Sequence, residues 1–164
     1  QGFTIPTLEE VFAAFPERWI NIDMKQQEPP LVRPFIDLIH RYGRDQDVMV
    51  GSFHAAAVDA FRRGLPEAAS VASLPETRRL FILSRLGLGR LYGGGGQAVQ
   101  PSEYNGRLHV VTPRFIQAVH RCGLAIHVWT VNDPADMQRL AAWGVDGLIT
   151  DYPDRALRLF GRLL

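Results

Sequence analysis

Six short runs rich in β-branched and small apolar residues alternate with helix-like runs along this chain, and that alternation limits its fold more than any other feature. The clearest instance comes late. Residues 124–131 (LAIHVWTV) read as a strand, 132–143 carry a helix, and 144–153 (GVDGLITDYP) return to strand. That is the pattern of a βαβ unit. Upstream, strands are expected over 19–24, 48–53, 68–73 and 97–100, and helices over 7–15, 29–42, 55–63, 75–86 and 113–121.

The helix boundaries carry their own chemistry. Thr7 and Glu10 have the spacing of a capping box, and Pro16 stops the helix that they open. Pro34 fits the first turn of the second helix and Gly43 its end. Thr112 followed by Pro113 opens the fifth, and Asp133-Pro134 and Asp151-Tyr-Pro153 start the last two. Asp151 is expected as an N-cap, with Asp154 helping the positive end of the same helix. Tyr92 and the four glycines at 93–96 read as a mobile loop.

Strands separated by helices pair in parallel, with right-handed crossovers and the helices outside. Such a chain either opens into a doubly wound sheet or curls towards a barrel. A (β/α)8 barrel needs eight strands and typically about 250 residues. This chain starts on a helix, has 164 residues and offers six strands. The expected fold class is therefore α/β, of the (β/α)8 TIM-barrel type, as an incomplete barrel of six parallel strands with outer helices. Residues 1–164 are expected to form a single domain.

Composition narrows the function. A hydrophobic content of 46% supports a core, and a net charge of +1, scattered along the chain, points away from a nucleic-acid groove or an anionic membrane surface. No apolar run approaches the roughly 20 residues of a spanning helix. Gln1-Gly2-Phe3 has no starting Met and no basic-then-apolar leader, so the chain is expected to be processed, cut or drawn from something longer. The single cysteine, Cys122, excludes an internal disulfide and reads as buried filler. A reducing, cytoplasmic location follows as an expectation. Of the 18 basic residues all but Lys25 are arginine, and Lys25 stands two positions after Asp23 at a strand end.

In barrels the reacting groups sit where strands meet the following loops. Those positions hold Asp23 and Lys25, Ser52 and Phe53, Gln100, Trp129 with Asn132, and Asp151. An acid, a lone lysine, two aromatics and amides suit an anionic, partly apolar small molecule. Alternation sets Asn21, Asp23 and Lys25 on one face and Ile20, Ile22 and Met24 on the other, with the polar set directed inward. Spacing alone leaves two readings of Asp23: a structural pair with Lys25, or a ligand for Mg2+ or Ca2+. Trp129 is expected to share a face with His127 and Val131, either as a pocket wall or as core packing. His127 reads as a satisfied core histidine. His54 could reach the mouth, and His40, His109 and His120 belong to helix surfaces or loops.

The order of Ile5-Pro-Thr-Leu-Glu-Glu-Val11, Asn21-Ile-Asp-Met-Lys25, Gly51-Ser-Phe53, Trp129-Thr-Val-Asn132 and Gly144-Val-Asp-Gly-Leu-Ile-Thr-Asp151 resembles the glycerophosphodiester phosphodiesterase family. The resemblance covers nearly the whole chain and implies a barrel of which these residues supply strands three to eight. It implies hydrolysis of glycerophosphodiesters to glycerol 3-phosphate and an alcohol, with two acid–base histidines and a divalent metal. The family's histidine motifs and two of its metal carboxylates are not found here and are expected upstream of Gln1, so this fragment alone is expected to be inactive. Asp23 carries over as the third metal ligand, Lys25 as the phosphate-facing lysine, and Phe53, Trp129 and Gln100 as pocket residues. Asp23 stands where Glu is frequent, and the Ile-Asp-x-Lys form resembles lysophospholipase D-type members, which act on acylated substrates. Gln100-Pro101 departs from the family's spacing after that strand. A non-catalytic half-barrel, completed by a dimer partner or an N-terminal companion fragment, is the rival reading.

Overall fold

The computed structural model describes residues 2 and 4–161, and its contacts divide the chain into two compact units, Gln1–Ser70 and Val71–Leu164. In the first unit, helix α1 (Leu8–Ala14) begins with the expected capping box. The Thr7 N–H donates to Glu10 Oε2 at 2.7 Å and the Glu10 N–H to Thr7 Oγ1 at 3.2 Å. Then follow β1 (Ile20–Asp23), α2 (Val32–Arg41), β2 (Val48–Gly51), α3 (Ala55–Gly64) and β3 (Ala69–Ser70). The strands pair in parallel in the order β1-β2-β3, with Asp23 opposite Gly51 and Val50 opposite Ser70. Helix α2 starts three residues later than the sequence pattern implied, on a Leu31 cap, because each proline of Pro29-Pro30 disfavours the helical region at the residue before it.

The core of this unit joins Phe12 of α1, Phe35, Ile36 and Ile39 of α2, Phe61 of α3, and Val48 and Val50 of β2. Fully burying one such side chain contributes roughly 1.5–3 kcal/mol. Arg44 is buried beneath the end of α1. Its guanidinium donates to the carbonyls of Phe15 at 2.8 Å, Pro16 at 2.9 Å and Arg18, and lies over the Phe12 ring. The carbonyls that Pro16 leaves without a helix thereby find a donor.

The second unit runs α4 (Leu74–Arg85), a 3-10 turn (Gly89–Leu91), β4 (Ala98–Val99), β5 (Tyr104–Asn105), β6 (Leu108–His109), α5 (Pro113–Arg121), β7 (Ala125–Val128), α6 (Pro134–Ala142), β8 (Gly147–Leu148) and α7 (Pro153–Leu159). Strands β4, β7 and β8 pair in parallel in the order β4-β7-β8. Its core gathers Leu80 of α4, Phe115, Ile116 and Val119 of α5, Ile126 and Val128 of β7, and Met137 and Leu140 of α6. The glycines after Tyr92 take no regular structure, and the Gly95 N–H is tied to Glu76 Oε1 at 2.8 Å.

Three expectations need correction. The described residues hold eight short strands in three small sheets rather than six, because β5 and β6 form an antiparallel hairpin. Gly106, with φ of 60°, occupies the first central position of that two-residue turn, where an L side chain is strained. Asp151 is not the N-cap of α7: Tyr152 holds that position, and the Asp151 carboxylate turns to Asn132 instead. Val131 does not share the His127 face. Regular alternation ends at Val128, and Val131 is buried among the core residues.

Candidate functional site

Strand β1 partitions its side chains as the alternation requires. Ile20 and Ile22 pack on the core that α1, α2 and α3 supply, and Met24 is buried within it. Asn21 and Asp23 are exposed on the opposite face. Beyond the strand end, the Lys25 ammonium lies 2.5 Å from Asp23 Oδ2 and 4.5 Å from the centre of the Phe53 ring. Phe53 arrives there because β2 ends alongside β1. The Met24 N–H donates to the Gly51 carbonyl at 2.8 Å, and Ser52 Oγ donates to the Met24 carbonyl at 2.6 Å. Ser52 Oγ also accepts the His54 N–H at 3.1 Å, which fixes the turn into α3. His54 contributes its backbone as the cap of α3.

The charge pattern of this group is open rather than sealed. The Lys25 side chain is 70% exposed and that of Asp23 41%. An ammonium held against a carboxylate and a π face, yet still wet, can turn to an incoming anion at small cost. A hard divalent cation takes six or more oxygen ligands. Among the described residues no three His, Cys, Asp or Glu side chains form a group able to hold one. Asp23 brings a single carboxylate, already bonded to Lys25, so these residues do not by themselves make a metal site.

In the second unit Ile126 and Val128 of β7 enter the core, which leaves His127 and Trp129 for the other face. There Gln100 Nε2 meets His127 Nδ1 at 3.1 Å, and the Trp129 indole N–H donates to the Gln100 carbonyl at 2.6 Å. Gln100 thus joins both residues at the ends of β4 and β7. Burial holds the His127 imidazole below its usual pKa, with the Asp146 carboxylate opposing that shift. Neutral imidazole is the form that shares a hydrogen bond with an amide without paying for a buried charge. Gly147 lies beside His127 in the ladder, and a Cβ there would fall against the imidazole ring.

Asn132 and Asp151 serve the scaffold. Asn132 Oδ1 accepts the Thr150 hydroxyl and the Asp151 N–H, both at 3.0 Å, and its amide donates to Asp151 Oδ2 at 2.8 Å. Asp133 caps α6 by accepting from Ala135 and Asp136. His40 pairs with Asp45, His109 with Glu103 and His120 with Asp146. The residue that sequence reasoning passed over is Asp146. Its Oδ2 accepts the Ile126 N–H at 2.8 Å while its own N–H donates to the Ile126 carbonyl at 3.0 Å. Burial alone would raise its pKa, but the bonds from Ile126 and His120 outweigh that and hold it below the ordinary carboxylate range. The Gly-x-Asp-Gly spacing just before β8 was the available signal.

A family description for glycerophosphoryl diester phosphodiesterases matches residues 1–155 of this sequence. The chain belongs to the glycerophosphoryl diester phosphodiesterase family. It is 33% identical over 159 residues to "Probable glycerophosphodiester phosphodiesterase 2" of Mycobacterium tuberculosis, covering 93% of this chain and 59% of that protein. It is 25% identical to the mouse "Lysophospholipase D GDPD1", over 92% of this chain and 55% of that one. The solved structure of a "Putative glycerophosphoryl diester phosphodiesterase" from Silicibacter pomeroyi superposes with a TM-score of 0.72 at 26% identity, covering 93% of this chain and 54% of its own. The chain therefore spans little more than half the length of these family members, and its α/β architecture with parallel strands matches the solved Silicibacter fold.

Proposed function

We propose that this chain works in the hydrolysis of glycerophosphodiesters to glycerol 3-phosphate and an alcohol, as part of a single (β/α)8 TIM-barrel-type domain of which six parallel strands lie here. The observation that carries the reading is the family match over residues 1–155. The Lys25–Asp23–Phe53 group supports it chemically. A phosphodiester is an anion at neutral pH, and its charge grows on the phosphoryl oxygens as the bond to the alcohol breaks. Lys25 offers a wet ammonium that can follow that charge, a contribution of the kind that fixed cations make to transition states. Phe53 beside Lys25 in the first unit, and separately Trp129 with Gln100 in the second, would each offer the substrate apolar or amide surface.

Asp23 would be one ligand of a divalent ion, Mg2+ or Ca2+, that the described residues cannot hold alone, and the proton-transfer groups would come from outside these 164 residues. Such an ion would supply charge neutralisation at the phosphate. The same open site extends to acylated substrates as a second reading, favoured by the likeness to lysophospholipase D. A cytoplasmic setting, and either a second copy or an N-terminal companion fragment as partner, complete the proposal.

The test is release of glycerol 3-phosphate from glycerophosphocholine by the protein of the full reading frame, with and without chelator. Activity lost with chelator and in both Asp23→Ala and Lys25→Met is the expected result. Turnover indifferent to all three would reject the assignment.

A further inference from the structure

The small net charge of the whole chain conceals a local imbalance. Between Thr77 and Ser102 there is no acidic residue, while Arg78, Arg79, Arg85 and Arg90 all fall there. The same stretch projects apolar side chains into solvent: Ile82 is 58% exposed, Leu86 65%, Leu88 46% and Leu91 62%. They are not core residues awaiting a better rotamer, because α4 already has a core face, which buries Leu80 and Ser84. Ile82 and Leu86 stand four residues apart and share a face with Arg78, one turn earlier.

The surface is held in shape. The Leu88 N–H donates to the Leu83 carbonyl at 2.8 Å and the Leu91 N–H to the Leu88 carbonyl at 2.9 Å, so the 3-10 turn folds back on the end of α4. Arg79 reaches the Leu91 carbonyl at 3.4 Å, and Arg114 of α5 reaches the Arg85 carbonyl at 3.0 Å, which adds a fifth cation to the rim. Leucines standing proud among arginines, with no carboxylate between them, match the requirements of a water–lipid boundary. The alkyl groups enter the acyl region and the guanidinium groups remain among phosphates. No described helix is long and apolar enough to cross a membrane, so the contact would be peripheral.

We propose that the end of α4 and the 3-10 turn after it form a docking surface for an anionic lipid membrane. The occupant is a lipid surface rather than a second copy of the chain for a reason of charge. A symmetric contact through this face would set its arginines against the same arginines of the partner, with no acid to separate them. The inference stands apart from the phosphodiesterase reading, since it needs no catalysis.

Sedimentation of the chain with phosphatidylglycerol vesicles, and separately with phosphatidylcholine vesicles, tests it. The chain should pellet with the first, lose that binding in high salt, and bind the second at least roughly tenfold more weakly. Leu86→Ser with Leu91→Ser, and Arg85→Gln with Arg90→Gln, should each weaken phosphatidylglycerol binding by roughly tenfold or more. Thermal unfolding verifies that both variants remain folded, as exposed side chains allow. Absence of binding, equal binding to both vesicles, or folded variants that bind like the parent would overturn the proposal. Pelleting without vesicles that both variants abolish would overturn it in favour of self-association.

Discussion

Replacing Asp146 by alanine removes the acceptor that starts the β7–β8 pairing, and the cost can be worked from its contacts. Ile126 is fully buried, and its N–H donates to Asp146 Oδ2 at 2.8 Å. Without that oxygen the donor faces no water, a loss of about 1–3 kcal/mol. The pair with His120 at 2.9 Å adds little. Its side chains are 41% and 42% exposed, and exposed pairs contribute about 0–1 kcal/mol. The sum is about 1–4 kcal/mol, which for a chain of this size lowers the melting temperature by roughly 2–16 °C. Asp146→Asn separates the two contributions, because an amide oxygen still accepts the Ile126 N–H while the charge is gone. It should cost at most about 1 kcal/mol. Circular-dichroism melts give the stabilities, and hydrogen exchange at the Ile126 amide reports the bond directly. Exchange should accelerate in the alanine variant and stay slow in the asparagine one. If the two variants melt together, the ion pair and not the buried donor sets the cost, and the reasoning fails.

Gly147→Ala should destabilise by about 1–3 kcal/mol in thermal melts, since its new methyl group meets the His127 ring, and should loosen the His127–Gln100 contact seen by imidazole NMR shifts. Arg44→Met should cost about 3 kcal/mol or more in urea unfolding, because three carbonyls at the end of α1 lose a charged donor. Lys25→Met should leave stability within about 1 kcal/mol, the pair being exposed, yet abolish most of the affinity for glycerol 3-phosphate measured by calorimetry. Unchanged affinity would remove Lys25 from the site. Stability should also fall on acidification in two stages. His127, whose folded pKa lies below the unfolded one, loses its contribution as pH drops from the ordinary imidazole value towards the folded one. Asp146, also depressed, holds its contribution above the ordinary carboxylate value and loses it as pH falls through its folded pKa. Asp146→Asn should flatten the second stage of a stability-against-pH curve and widen the first, because the carboxylate that opposes the His127 shift is gone.

The elements legible in the sequence were those specified by neighbours along the chain. Thr7 and Glu10 are three apart, and their reciprocal bonds appear as expected. Thr112 accepts the Phe115 N–H in the same local way. The hairpin at Gly106 was equally local, with Gly106-Arg107 turning between two short runs, but its strands are only two residues long and carry no apolar alternation. Asp151 misled because an acid before Tyr-Pro has the composition of a cap. Asn132, nineteen residues away, offers its carboxylate a better donor.

The same division explains how much of the candidate site could be read. Period-two alternation placed Asp23 and Lys25 opposite Ile20, Ile22 and Met24, because one face of β1 must meet the helices and only the apolar set can do so without loss. The rule reports which way a side chain faces and nothing about what waits for it. That Gln100 binds both His127 and Trp129 depends on the parallel register of Ala98 with Ala125, which pattern alone does not set. That Asp146 closes on Ile126 depends on β8 arriving with Gly147 opposite His127, where the absence of a Cβ leaves room for the ring. Asp146 and Gly147 therefore act as one device. The acid fixes the register by accepting a buried N–H, and the glycine makes room for the imidazole that this register delivers. Exchanging the two residues would keep the composition and lose both effects.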